Sequence, residues 1–409
     1  MERLYWNNDW KFAETWEEAM KEAVYPENEM EDVRLPHTCK ELPYHYFDEH
    51  AYQMLCGYRR HFMAPEAWQG KSVELTFEGV AHDAVVYVNG TEVKAHHCGY
   101  TAFFVELAKY LKYGEDNVLA VRVDSRENLN IPPFGYAIDY MTFGGMYREV
   151  YVQVRNKTHL ADVFIKPQIH PLQVTTEITV QNISDGITLQ QEIRKKGEGA
   201  YSPLGKKPVK QTNVQTVFPV QEIRLWEPEN PYLYEIRTSL WKNGEMIDAR
   251  VDITGFREAG FRKDGFYLNG KKLRLRGLNR HQSYPYVGYA APASMQIFDA
   301  DILKKELGVN AVRTSHYPQS QDFIRRCDEI GLLVFTEFPG WQHIGGEEWK
   351  RQAVQNLKEM IVQYRNHPSI ILWGVRINES QDDDVFYRET NRVAHELDDT
   401  RATGGVRML

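Results

Sequence analysis

The feature that most constrains this chain is a change of hydrophobic period near residue 256. Before it, apolar residues alternate with polar ones: Val73, Leu75 and Phe77 interleave with Glu74, Thr76 and Glu78, and Leu119, Val121 and Val123 interleave with Ala120, Arg122 and Asp124. A period of two gives a strand one dry face and one wet face, the texture of antiparallel sheet. After residue 256, short apolar runs alternate with segments whose apolar residues recur every three or four positions. Strictly alternating strand and helix imply a parallel sheet with right-handed crossovers. At ~100–200 residues per domain, a chain of 409 residues has room for two to four domains.

Within the first half, Asn89-Gly90 follows the run Ala84 to Val88, and both turn positions tolerate positive φ, so a tight hairpin is expected there. Short strands from Ser72 to Val154 suggest a sandwich or jelly roll. A second β-rich block runs from Thr158 to Phe256, with Thr176–Val180 as one strand, Tyr234, Ile236, Thr238 and Leu240 as the inner face of another, and Asn243-Gly244 as its turn. Its length of about 100 residues suits an immunoglobulin-like sandwich. The Lys- and Gly-rich stretch from Arg194 to Lys210 reads as a solvated hairpin tip rather than a binding patch.

In the second half, strands are expected at Lys272–Leu278, Asn310–Thr314, Leu332–Phe338 and Ser369–Val375. Helices are expected at Met295–Leu307 before Gly308, at Asp322–Ile330 before Gly331, at Glu347–Tyr364, and through Phe386, Val393, Ala394 and Leu397. No GxGxxG opens the first helix, so a dinucleotide fold has no support. Four such units fit either an open sheet or the first half of an (α/β)8 barrel.

A net charge of −8 removes the basic footprint of a nucleic-acid or anionic-membrane binder. The longest apolar stretch, Ile370 to Val375, is far shorter than the ~20 residues that span a bilayer. The N-terminal residues Met1 to Asn8 show no leader pattern. Cys39, Cys56, Cys98 and Cys327 lack CxxC spacing and are taken as reduced thiols in a cytoplasm. HExxH, GxSxG and Walker patterns do not occur, and His316 and His343 have no ligand-spaced companions, so metal, acyl-transfer and phosphoryl-transfer chemistry have no support. The nine tryptophans read mainly as core and edge aromatics.

In a barrel, residues just past each strand converge on one mouth. Here they are Asn279-Arg280-His281, Arg313-Thr314-Ser315-His316, Glu337 and Asn378-Glu379. Glu379, a carboxyl beside an amide at the end of a buried strand, suits a general acid. The alternative is a carboxylate near a helix start, since Asp382, Asp383 and Asp384 follow closely.

These strings carry a family likeness. The chain resembles glycoside hydrolase family two, the β-galactosidase and β-glucuronidase family, over essentially its whole length. The resemblance rests on LPHT (35–38), GYRRHF (57–62), VYVNG (86–90), FGGMYREV (143–150), LWEPENPYLY (225–234) and GFR (255–257). It continues with RGLNRH (276–281), NAVRTSHYP (310–318), RNHPSIILW (365–373) and INES (377–380). It implies a jelly-roll sugar-binding domain (1–157), an immunoglobulin-like β-sandwich (158–256) and the N-terminal half of a TIM-barrel catalytic domain (257–409).

Carried over residue by residue, the resemblance makes Glu379 the general acid/base and Asn378 the neighbour that contacts the sugar 2-hydroxyl. Arg313 becomes the arginine that orients the nucleophile, and His281 and His316 become glycone-binding residues. Asp139 becomes the jelly-roll aspartate that reaches into the mouth. The implied reaction is retaining hydrolysis of a terminal β-galactoside, with carboxyls ~5–5.5 Å apart; β-glucuronide is the runner-up substrate. The nucleophile is expected on a late barrel strand. None lies before Leu409, and Glu389 and Glu396 fall on a helix, so the chain alone is expected to be inactive, with an exposed sheet edge prone to association. A non-catalytic carbohydrate-binding or subunit-interaction fragment is the other class.

No cofactor is required by this reading, and a bound cation is compatible with it. Family galactosidases that bind magnesium carry Glu-x-His where this chain reads Trp341-Gln342-His343, so the usual magnesium pattern is unmatched, and Trp341 is assigned instead to a wall of the sugar site. A carbohydrate is the expected partner, without nucleic acid or membrane, and a homo-oligomer is compatible with the sequence.

Overall fold

The computed structural model describes residues 3–45, 48–135 and 138–408. The N-terminal region is a sandwich of a six-stranded and a four-stranded sheet, both antiparallel. In the six-stranded sheet the order is Glu31–Val33, Trp10–Ala13, Leu55–Met63, Asp116–Asp124, Asp83–Val88 and Thr91–His96. The four-stranded sheet contains Leu4–Tyr5, Val150–Arg155, Ser72–Phe77 and Phe103–Glu106. Val73, Leu75, Phe77, Leu119, Val121 and Val123 all face the shared core, as their alternation predicts. Asn89 and Gly90 take φ of +49° and +82° and close the expected hairpin.

The opposite faces are drier than the alternation implies. Ala120 is buried beneath Trp16 and Met20, and Gly57 leaves room for them: a Cβ there would lie 2.7 Å from the Met20 sulfur. Thr76 and Glu78 are also buried, because this sandwich packs against the C-terminal region. Ala102 N–H donates to Gln363 Oε1 at 3.0 Å and the Thr101 hydroxyl to Glu359 at 2.6 Å.

The second region has a three-stranded and a four-stranded antiparallel sheet, the seven-strand count of an immunoglobulin-like sandwich. Ile178, Val180, Leu189, Ile236 and Leu240 fill its core. The buried Gln191 side chain bonds to Thr176, Thr216 and Thr238. Ile187–Lys195 pairs with Ser202–Pro208, so the Lys-rich stretch is a hairpin whose Lys195 pairs with Glu198.

The C-terminal region is a parallel sheet of Gly277–Arg280, Ala311–Thr314, Leu333–Glu337, Ile370–Gly374 and Ala402–Gly404, adjacent in sequence order. Helices Ala293–Asp301, Gln321–Ile330, Glu347–Tyr364 and Asp384–Leu397 connect them. A doubly wound sheet would reverse its order at a switch point; this one does not. The expected strand Lys272–Leu278 divides. Lys271–Leu273 joins a small antiparallel sheet, and the parallel ladder begins at Gly277, where a Cβ would sit 2.4 Å from the Ala311 carbonyl oxygen. The first helix passes into a π-helical turn, Ile302–Glu306, before Gly308. The fifth strand was not among the sequence expectations.

Trp226, Leu233, Phe266, Leu268, Leu333 and Ile371 form one cluster that joins the second sandwich and the small sheet to the parallel strands. Trp10, Trp226, Trp349 and Trp373 are fully buried, in keeping with core roles. Among the described residues no helix is long and apolar enough to cross a membrane.

Candidate active site

The C-terminal ends of the parallel strands carry one connected polar network. Arg313, on the second strand, donates three times to buried Glu337 at the end of the third: Nη2 to Oε2 at 2.7 Å and to Oε1 at 2.9 Å, and Nε to Oε2 at 3.1 Å. The same Nη2 donates to Asn378 Oδ1 at 2.7 Å. On the other side of Glu337, His316 Nδ1 lies 2.6 Å from Oε1. Since a carboxylate only accepts, Nδ1 carries the proton that it donates to Oε1. By the same logic Asn378 presents Oδ1 to Arg313 and keeps its two amide hydrogens for another partner.

Beyond the fourth strand the chain continues through Val375 to Asn378, which forms an isolated parallel bridge with Trp341. Asn378 is buried and Glu379 is half-buried. Gln342 Nε2 donates to Glu379 Oε2 at 3.3 Å. Asp383 accepts from Phe386 N–H at 2.9 Å and caps the fourth helix, so Glu379 has no part in that cap.

His281 stands beside this network, its ring 5.5 Å from that of His316 and its Nδ1 3.2 Å from the Tyr317 hydroxyl. Burial, aided by the nearby His316, Arg313 and Arg280, pushes its pKa down to about 4. The ring is therefore neutral at pH 7 and acts through hydrogen bonds rather than charge.

The N-terminal sandwich completes the rim. The Tyr140 ring lies 5.0 Å from His281 and 5.9 Å from His316, and exposed Asp139 precedes it. Phe134 accepts a hydrogen bond from Trp349 Nε1 at 3.0 Å, and Gly135 lies so close to His343 that a Cβ would be 2.1 Å from its ring. Arg148 fastens the same sandwich to the mouth, donating to Gln282 Oε1 at 3.1 Å and the Pro318 carbonyl at 3.0 Å.

The mouth therefore gathers His281, Arg313, His316, Glu337, Asn378 and Glu379, with the Asp139-Tyr140 segment at its edge. Trp341 is half-buried beside Asn378, tied through its backbone. Glu389 and Glu396 flank Arg392 on the exposed side of the fourth helix, paired to it at 2.7 and 2.5 Å. Sequence reasoning placed Glu337 at the mouth without seeing that it joins Arg313 to His316, and it missed Tyr140 and Gln342. Only the FGGMYREV string pointed toward Arg148. Among the described residues, no group of three or more His, Cys, Asp or Glu side chains is arranged to hold a metal ion.

Chemically, this is a cleft with one half-exposed carboxyl able to exchange a proton, a neutral imidazole, and an amide whose hydrogens are aimed by an arginine. Two sandwiches carrying a barrel-type sheet with such a mouth define a multidomain α/β protein of the TIM-barrel class. Residues 32–155 match the family description "Glycosyl hydrolases family 2, sugar binding domain", residues 158–257 match "Glycosyl hydrolases family 2", and residues 260–406 match "Glycosyl hydrolases family 2, TIM barrel domain". The chain belongs to glycosyl hydrolase family 2.

It is 48% identical to a beta-galactosidase of Thermoanaerobacter pseudethanolicus, an alignment covering 99% of this chain and 56% of that protein. Identity to a beta-galactosidase of Thermoanaerobacterium thermosulfurigenes is 46%, covering 98% of this chain and 58% of the relative. The solved structure of Bacteroides uniformis beta-glucuronidase 2 covalently bound to cyclophellitol-6-carboxylate aziridine superposes with a TM-score of 0.89 at 28% identity, covering 99% of this chain and 52% of that one. The chain thus spans little more than half the length of the curated relatives it matches.

Proposed function

We propose that this chain carries the sugar-binding domains and the acid/base side of a retaining β-galactosidase. The observation that supports this most is the set Arg313–Glu337–Asn378–Glu379, in which a half-buried carboxyl follows directly on an amide whose oxygen is engaged by Arg313. Glu379 protonates the glycosidic oxygen as the leaving group departs, then takes a proton from the water that releases the sugar. Asn378 donates to the sugar 2-hydroxyl, and Arg313 orients the nucleophile. His281, His316 and Asp139 bind the remaining hydroxyls, with Trp341 as a wall. The nucleophile is a glutamate on a later barrel strand, and it pairs with Glu379 across ~5–5.5 Å.

Galactoside is favoured by the two bacterial beta-galactosidases at 48% and 46% identity. Glucuronide is second, supported by the 28%-identical beta-glucuronidase. In this reading the five parallel strands are one side of the barrel, and the outer edges at Gly277–Arg280 and Ala402–Gly404 pair with further strands. Left uncovered, those edges promote association. All four cysteines are free and buried, which agrees with a cytoplasmic protein.

The test compares nitrophenyl β-galactoside and β-glucuronide hydrolysis by residues 1–409 and by a C-terminally extended polypeptide. No turnover by the first and galactosidase turnover by the second is expected. Turnover by the 409-residue chain that Glu379→Gln abolishes would contradict the proposed incompleteness. Extended-chain activity on neither sugar would contradict the substrate assignment, and leave the chain as a carbohydrate-binding fragment.

A further inference from the structure

The third and fourth strands run past their regular ladder and meet again at the mouth. Trp341 and Asn378 bridge, and Gln342 N–H donates to the Asn378 carbonyl at 2.8 Å. The residue after each bridge partner is left-handed: Gln342 has φ +56° and Glu379 has φ +52°. Each such conformation is unfavourable for a residue that is neither glycine nor asparagine, and it persists where the surroundings hold it. The two turns aim the side chains at each other, closing the 3.3 Å hydrogen bond from Gln342 Nε2 to Glu379 Oε2. Glu379 is fixed from its other side as well, its N–H donating to the Val406 carbonyl at 3.0 Å.

A primary amide is matched to a carboxyl that changes protonation state. Its N–H donates to the carboxylate; after rotation about the last bond, its carbonyl accepts from the carboxylic acid. A carboxylate at position 342 would repel the charged form, and a lysine would lock it in place.

We propose that Gln342 is a positioning residue for Glu379: its side-chain amide holds the acid/base carboxyl in both protonation states. This rests on the acid/base reading of Glu379. The charged and titratable groups on the surrounding elements are His281, Arg313 with His316, Glu337 and His343, Arg376 with Asp382, Arg407 and, from the jelly roll, Asp139. Asp382 is neutralised by Arg376 at 2.7 Å and Arg407 at 2.6 Å, and Glu337 by Arg313 at 2.7 Å.

The experiment titrates Glu379 directly, by carbon NMR of the 409-residue chain labelled at its glutamate carboxyls, with the resonance assigned by its loss in Glu379→Gln. Gln342→Gly removes the amide while accepting positive φ without strain, which protects the fold. Gln342→Glu introduces a like charge. The titration midpoint is expected to rise in Gln342→Glu, where two like charges oppose each other, and to stay near wild type in Gln342→Gly, because an amide that serves both protonation states favours neither. An unmoved midpoint in Gln342→Glu would overturn the proposal, because it would show that the two side chains do not meet.

In the extended polypeptide, Gln342→Gly should lower kcat about tenfold for an alkyl galactoside, which needs protonation to leave, and less than about twofold for nitrophenyl galactoside. An equal loss on both would also overturn it. If Glu379→Gln leaves alkyl galactoside hydrolysis intact, the acid/base reading itself fails, while the titration still reports on Gln342 alone.

Discussion

Two buried charge clusters sit at opposite ends of the same parallel sheet, and they differ in what they leave unsatisfied. At the N-terminal end of the strands, Arg401 donates to Asp398 at 2.6 Å and to the Ile370 and His367 carbonyls at 2.8 Å. Asp398 accepts further bonds from Trp373 Nε1 and from Thr400. Arg257 gives its hydrogens to the Pro368 and Ile370 carbonyls, and burial, with Arg401 nearby, brings its pKa down to about 9. This floor is closed on itself. At the mouth, similar residue types form a set that stays open: Arg313 and Glu337 satisfy each other, but they hold Asn378, His316 and Glu379 toward a cleft. Closed polar sets contribute stability, whereas open sets at the C-terminal ends of strands are available for chemistry.

The comparison sharpens at Glu337, the member of the mouth that is closed, with both oxygens taken by Arg313 and His316. Glu337→Ala leaves half-buried Arg313 and buried His316 without their carboxylate, and a destabilisation of about 3 kcal/mol is expected in denaturant unfolding. A smaller effect distinguishes the floor. Burial pushes the Asp398 carboxyl up, but Arg401, Thr400 and Trp373 outweigh it and bring the pKa down to about 2. A depressed carboxylate pKa stabilises the fold above its ordinary value of 3.8, and that stability disappears as pH falls toward 2. Wild type should therefore lose about 2 kcal/mol more than Asp398→Asn between pH 4 and pH 2. Parallel pH–stability curves would show that the floor pair contributes nothing.

The smallest expected effect is a silence. His281 should titrate near pH 4 in proton-detected NMR, so its charge does not change between pH 6 and 8 and galactoside binding should be flat across that range as far as this residue is concerned. A midpoint near 6.5 would show that the mouth is wetter than its packing implies.

Much of the frame could be read from residue patterns. Alternation located the sandwich strands, Asn-Gly located two hairpins, and Gly331 ended its helix in a left-handed cap with φ +69°. Patterns failed where a distant partner decides. Lys272 to Leu278 alternates like one strand, yet Asn310 accepts from Arg276 N–H at 2.7 Å and donates to the Arg274 carbonyl at 2.9 Å, and these bonds hold the segment as a connector. Thr76 and Glu78 look solvated until the barrel covers them. At the mouth, strand-end position was enough to select His281, Arg313, His316, Glu337, Asn378 and Glu379. The role of Glu337 as a hub, the Tyr140 ring and the Gln342 amide depend on residues dozens to nearly two hundred positions apart, and one sequence does not display such contacts.

The contrast between an open mouth and a closed floor is tested most directly by measuring kcat/KM for an alkyl β-galactoside together with Tm, in the extended polypeptide, for Glu379→Gln and Asp398→Asn. Glu379→Gln should lose about 10²–10⁴-fold in kcat/KM with Tm unchanged, and Asp398→Asn should lose Tm with kcat/KM per folded molecule retained. Full activity in Glu379→Gln, or a loss of activity in Asp398→Asn at a temperature where it is fully folded, would contradict the assignment of chemistry to the mouth.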